Sequence, residues 1–315
     1  MSRTPRLLET PAAIRLQSDR WRSAGMLVGL VPTMGALHAG HVSLIRRARE
    51  ECDRVVVSIF VNPAQFGPGE DYARYPRPRE RDVAVCAEER VDAIYAPDVD
   101  AMYPPGFSTG VTVDGRLVTT LEGAARPGHF AGVALAVTKL FTATRADRAY
   151  FGQKDAQQCA VVRRLAADLD LGVTIVLCPT VRDADGLALS SRNAYLSAME
   201  REQALAIPRG LAIAARLARA GEDDPGRLIA AVRAELAATP SLSVDYVAIV
   251  DGDTFEDVAL VAAGARIQLA ARIGATRLID TLNLLVDVPP TVPPHSDEAV
   301  VEAAAGTSGG RGQES

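Results

Sequence analysis

Two β-rich apolar runs, residues 26–31 and 54–61, flank a glycine-bearing loop and a helix-like stretch at 42–50. Strand, helix and strand in so short a span form a βαβ unit. Its two strands must lie parallel, joined by a right-handed crossover. The alternation continues through helix-like 79–90, strand-like 91–96, helix-like 133–144, strand-like 148–151, helix-like 156–169 and strand-like 173–177. Residues 1–25 read as a leading helix anchored by Trp21, and 102–127 as loop-rich. This pattern predicts an α/β domain with a doubly wound, Rossmann-like parallel sheet over residues 1–182. After residue 181 the style changes. A polar loop at 187–193 precedes two long Ala/Leu/Arg helices, 198–220 and 225–238, and three short strand-like runs, 245–250, 267–271 and 276–279. These predict a smaller α+β C-terminal lid domain over 183–287. From 288 to 315 the chain is Pro-rich and then Ala/Gly/Ser-rich, which predicts a disordered tail.

Composition narrows the function classes. Hydrophobic residues make up 48% of the 315, enough for a packed core. The net charge of −5 argues against a nucleic-acid binder with a broad basic surface. No apolar run is long enough to cross a membrane, and the N-terminus lacks the features of a signal peptide. Cys52, Cys86, Cys159 and Cys178 are scattered with no C-x-x-C spacing, as expected of reduced thiols in a cytoplasmic protein.

The loop after the first strand runs Val31-Pro32-Thr33-Met34-Gly35-Ala36-Leu37-His38-Ala39-Gly40-His41. It places two imidazoles at a helix start, where unsatisfied N–H groups and the helix dipole favour phosphate. Imidazole can itself donate to phosphate oxygens. The loop therefore points to a nucleotide triphosphate held at the first strand–helix turn. Residues 62–69 break the pattern at the carboxyl end of the second strand, where ligands of open parallel sheets bind. Among the 34 basic residues only Lys139 and Lys154 are lysines. Lys154, in Phe151-Gly152-Gln153-Lys154-Asp155, suits a site that wants a compact ammonium. Lys139 sits inside a helix-like run and reads as a snorkelling side chain.

Four stretches in order complete the picture: residues 32–41, Phe60-Val-Asn-Pro-Ala-Gln-Phe66, Phe151–Asp155 with Gln157-Gln158, and Asp185-Gly-Leu-Ala-Leu-Ser-Ser-Arg-Asn193. Together they resemble the pantothenate synthetases, the ATP-dependent pantoate–β-alanine ligases, from about residue 27 to 284. The resemblance implies a two-step reaction. Pantoate carboxylate attacks the α-phosphorus of ATP to give pantoyl adenylate and pyrophosphate, and the β-alanine amine then displaces AMP.

The resemblance also implies roles for individual residues. His38, His41 and Lys154 are the expected catalytic residues, with His41 as proton donor. ATP is expected to contact Met34, Gly35, Ala36, Leu37, His38, Ala39, Gly40 and His41. Further ATP contacts fall to Gly152, Gln153, Lys154, Asp155, Val181, Leu189, Ser190, Ser191 and Arg192. Asp155 would reach the ribose or cap the next helix, and Ser190 to Arg192 would meet the β- and γ-phosphates. Gln65, Gln158 and Asn62 are expected to bind pantoate, and Gln65 β-alanine as well. Mg²⁺ would accompany ATP, with Asp82 the acidic candidate to help hold it, and homodimerisation is the family habit. Gly186 is a candidate hinge for closure of the 187–193 loop. Gln153 departs from the glutamate common at its position.

Two other readings share some of these residues. One is a nucleotidyltransferase that stops at a nucleotidylated product. The other is a nucleotide-binding module without turnover. A tRNA synthetase is disfavoured by the chain's length and acidity.

Overall fold

The computed structural model describes residues 4–292. The elements run β1 (Arg6–Leu8), α1 (Pro11–Ser23), β2 (Val28–Thr33), α2 (Ala39–Glu51), β3 (Arg54–Ile59), α3 (Arg79–Glu88), β4 (Ala93–Tyr95) and short α4 (Val99–Met102), α5 (Arg116–Thr119) and α6 (Glu122–Ala125). They continue with α7 (His129–Thr144), β5 (Arg148–Gly152), α8 (Ala156–Asp168), β6 (Thr174–Cys178), α9 (Ala198–Ala204), α10 (Ala206–Arg219), α11 (Pro225–Ala237), β7 (Leu242–Asp251), β8 (Ala265–Ile273) and β9 (Thr276–Asn283).

The expected βαβ unit is present. β2 and β3 pair in parallel from Val28↔Arg54 to Thr33↔Ile59. The six-stranded sheet has the order β1-β4-β3-β2-β5-β6, and each adjacent pair is parallel. Helices cover both faces, as a sheet buried on both sides requires. On one face Ile14, Val137, Phe141 and Val162, from α1, α7 and α8, pack with Leu30, Val56 and Tyr95. On the other, Leu44, Ile45 and Cys86, from α2 and α3, pack with Val31, Val57 and Ile94. The chain winds outward in both directions from β2. Its neighbours β3 and β5 therefore leave a crevice at their carboxyl ends.

The second sheet is antiparallel, β7-β8-β9. It packs against α10 and α11 through Leu211, Leu228, Val232, Ile267 and Leu269. The register of β7 shifts between Val244 and Tyr246, as at a bulge. There Tyr246 Oη donates to Glu122 at 2.7 Å, and Arg277 donates to both oxygens of Glu122 at 2.8 and 2.6 Å.

Three expectations need correction. The leading segment is not all helix. Residues 6–8 form a parallel edge strand on β4, and the helix begins only where Thr10 caps it and Pro11 opens it. The helix expected over 198–220 is two helices meeting at Leu205. Pro208 has no N–H to offer the carbonyl of Ala204, and its ring crowds it, so the break falls there. Residues 288–292 belong to the folded body: Pro290 is buried and Val292 packs against the second core. The rest of the expected tail, 293–315, lies outside the described residues, as do residues 1–3.

Candidate active site

α2 starts at Ala39, earlier than periodicity suggests, because its histidines cap it. His38 is the N-cap, and its Nδ1 accepts the Gly40 N–H at 3.1 Å. His41 reaches back, and its Nδ1 accepts the His38 N–H at 3.3 Å. Capping and cleft-facing roles are thus combined in the same two side chains. A Cβ on Gly40 would lie 2.9 Å from the His38 ring, so only glycine lets that ring fold back. The two rings lie with centroids 4.1 Å apart and their planes tilted by 37°.

Both imidazoles are neutral. Burial first, then the charge of Lys154, push His38 down to about 4. Burial, His38 and Lys154 push His41 to about 3. A neutral imidazole with Nδ1 accepting carries its proton on Nε2. The helix-terminal N–H groups expected to meet phosphate are therefore partly engaged by the histidines. In their place the site presents two Nε2–H donors.

The loop before them is held by Asp82. Its carboxylate accepts the Ala36 N–H at 2.9 Å and the Leu37 N–H at 2.8 Å, and only 1% of the residue is exposed. Ala36 and Gly35 both have positive φ, 51° and 86°, a backbone that this clamp sustains. Asp82 thus serves the loop's shape. It does not line the cleft, where a Mg²⁺ partner was expected. Among the described residues no group of three or more His, Cys, Asp or Glu side chains is placed to hold a metal ion.

A cleft of about 240 Å³ opens where the carboxyl ends of β2 and β5 part. Met34, His38, Gly40 and His41 line it from one side. Gly152, Lys154, Asp155 and Gln158 line it from another, and Val181, Leu189, Ser190, Ser191 and Arg192 close it. Gly35, Ala36, Leu37, Ala39 and Gln153 are not on its wall. The Lys154 side chain is 18% exposed, with its ammonium 3.7 Å from Asp155. Asp155 stands at the N-cap of α8 but makes no capping bond, so its half-exposed carboxylate faces the cleft. Lys139, in contrast, lies with its ammonium 4.9 Å above the Phe107 ring, away from this cleft.

Gln65 and Asn62 sit at a 3-10 turn, Pro63–Gln65, that follows β3. Gln65 lines the cleft, and its Nε2 donates to the Met34 sulfur at 3.0 Å. Asn62 is 2% exposed. Its amide donates to the Gly132 carbonyl at 3.0 Å and to Gln65 Oε1 at 3.2 Å. Its oxygen accepts from Ala64 N–H at 3.1 Å and Tyr103 Oη at 2.8 Å. Asn62, which also lines the cleft, thus uses its amide and its oxygen to hold the turn. Gly132 makes the turn's approach possible, since a Cβ there would lie 2.0 Å from the Ala64 oxygen.

The sequence reading missed four polar partners of the cleft. Asp71 binds Arg192 through two bonds of 2.9 Å, and Tyr75 Oη lies 3.1 Å from Ser191 Oγ. Arg126 and His129 stand beside Gln65. The run Arg126-Pro-Gly-His129 is visible in the sequence as a turn. Nothing local shows which distant carboxylate each cation meets.

A sequence profile described as Pantoate-beta-alanine ligase matches residues 6–283. The chain belongs to the pantoate–β-alanine ligase family. It is 50% identical over 281 residues to the pantothenate synthetase of Moorella thermoacetica, covering 89% of this chain and 99% of that one. Identity to the enzyme of Heliobacterium modesticaldum is 51% over 283 residues, covering 90% and 100%. The crystal structure of pantothenate synthetase from Thermus thermophilus superposes with a TM-score of 0.84 at 47% identity, over 89% of this chain and 99% of that one. A Francisella tularensis pantoate–β-alanine ligase, solved with β-γ ATP and β-alanine, gives 0.71 at 32% identity, over 88% and 97%. Among the described residues no helix is long and apolar enough to cross a membrane.

Proposed function

We propose that this family member condenses pantoate with β-alanine at the expense of ATP, through a pantoyl adenylate formed in the β2–β5 cleft. The observation that carries this reading is the shared cleft. Two neutral Nε2–H donors and one ammonium face the same space as two glutamines set beside apolar walls.

In the first step a pantoate carboxylate oxygen bonds to the α-phosphorus while the bond to the pyrophosphate oxygen breaks. Negative charge grows on the phosphate oxygens, so fixed donors there lower the barrier. His38 and His41 supply such donors, and Lys154 supplies charge between two anions that must meet. Ser190, Ser191 and Arg192 take the β- and γ-phosphates, for which Arg192 must leave Asp71. Gln65 and Gln158 bind pantoate's oxygens, with Met34 and Phe60 against its methyl groups. In the second step the β-alanine nitrogen, near Gln65, bonds to the acyl carbon, the acyl C–O bond to the adenylate phosphate breaks to release AMP, and the nitrogen's proton passes to water. No general base is required, because pantoate enters as an anion and proximity supplies much of the rate. Mg²⁺ travels with ATP in this reading, the chain works in the cytoplasm as a homodimer, and residues 183–287 act as a lid over 1–182.

The test is isotope exchange between pyrophosphate and ATP with β-alanine omitted. Exchange that requires pantoate supports the adenylate half-reaction. Exchange that is absent with pantoate present, in protein that binds ATP, refutes it.

A further inference from the structure

We propose that His129, Arg126 and Glu70 form a positioning relay that holds Gln65 toward the substrate cleft. The proposal rests on the reading of Gln65 as a pantoate contact. Glu70 accepts from Arg126 Nε at 2.8 Å and from Nη2 at 2.7 Å, a bidentate fork that fixes the guanidinium plane. Arg126 Nη1 lies 3.1 Å from His129 Nε2, and His129 Nδ1 lies 2.8 Å from the Gln65 carbonyl oxygen. Arginine has only donors, so Nε2 of His129 accepts and Nδ1 carries the proton that goes to Gln65. The Gln65 carbonyl takes a second bond from Arg126 Nη2 at 3.3 Å.

Each partner thus dictates the state of the next. Burial and the adjacent Arg126 push His129 down to about 4, so the ring stays neutral and its tautomer is set by the guanidinium. The relay pins the backbone of Gln65, while Asn62 holds its side-chain oxygen at 3.2 Å. The remaining donor, Nε2, points to the Met34 sulfur at 3.0 Å. A thioether is a weak acceptor, so a substrate oxygen displaces it readily. Gln65 is therefore presented with its backbone and oxygen clamped and its N–H₂ exchangeable. Arg126 and His129 act through Gln65 and are positioning residues.

The experiment measures KM for pantoate and for ATP, together with kcat, in wild type, His129→Ala, His129→Asn and Glu70→Gln. Losing the 2.8 Å bond in His129→Ala should raise the pantoate KM about tenfold, with the ATP KM unmoved. His129→Asn places an amide N–H where Nδ1 stood and should recover most of that loss. Glu70→Gln sits at the relay's outer end and should raise the pantoate KM about threefold. It decides the matter if His129→Ala does not fold. An unchanged pantoate KM in the variants, parallel rises in both KM values, or an asparagine no better than alanine would overturn the relay. Wild-type protein without pantoate-dependent exchange would instead overturn the reading of Gln65 and the relay with it.

Discussion

His41 does two jobs with two nitrogens, and substitution can separate them. Its Nδ1 closes the capping box by accepting the His38 N–H at 3.3 Å, while Nε2–H is left for the cleft. His41→Asn keeps an acceptor at the Nδ1 position and deletes the distal donor. His41→Gln keeps a donor near Nε2 and deletes the cap. Loss of a helix cap costs about 1 kcal/mol, which in a chain of this size lowers Tm by roughly 2 °C. Loss of one preorganised donor to developing charge costs about 3–4 kcal/mol, or roughly a hundred- to a thousandfold in rate. His41→Asn should therefore melt within about 2 °C of wild type and lose roughly a hundredfold or more in pantoate-dependent exchange. His41→Gln should melt lower yet retain more exchange. The assays are a thermal melt and isotope exchange on the same preparations. If His41→Asn retains exchange within about threefold of wild type, then Nε2 contributes less than about 0.7 kcal/mol. The assignment of the donor would then be wrong.

Three further outcomes follow from the same geometry. Asp82→Asn leaves one of two buried amides without an acceptor and should cost about 1–3 kcal/mol in a denaturant melt. The Mg²⁺ concentration for half-maximal rate should stay put, and a large rise would restore Asp82 as a metal partner. Gly132→Ala drives a methyl into the Ala64 carbonyl, 2.0 Å away. It should raise the pantoate KM more than the ATP KM, and an unchanged pantoate KM would show that the turn can retreat freely. His38, His41 and His129 are held at about 4, about 3 and about 4, below the ordinary 6.5. In the unfolded chain they take up protons below pH 6.5 while the fold resists. Stability is therefore intact above 6.5 and declines as pH falls toward about 3 to 4. An imidazole NMR titration with a midpoint above about 6 for any of the three would refute this.

Much of the site was legible because its motifs are contiguous. The capping box needs only His38, Gly40 and His41, and Lys154 stood out by its rarity in an arginine-rich chain. Asn62 was legible as belonging to the cleft, but its role was not. Whether its amide faces a ligand or Gly132 depends on α7 lying 70 residues away in sequence. Arg192 reads as a phosphate ligand from its motif, and only the fold shows that Asp71, 121 residues earlier, is the carboxylate that holds it before a ligand enters.

The periodicity of apolar runs was enough to establish alternating strands and helices, parallel pairing of β2 with β3, and a change of architecture after residue 181. These depend on backbone geometry and local burial, which repeat every two or about 3.6 residues. β1 escaped because so short a strand carries no period, whereas the break at Leu205 is marked in the sequence by Pro208, inside a run that otherwise reads as one helix. The insertion of β2 between β3 and β5 was settled by the folded chain. That neighbour choice brings Lys154 to the histidines. Side-chain packing across a sheet links residues with no common spacing in sequence. The cleft, the Asp82 clamp and the proton positions on three histidines all arise from such links.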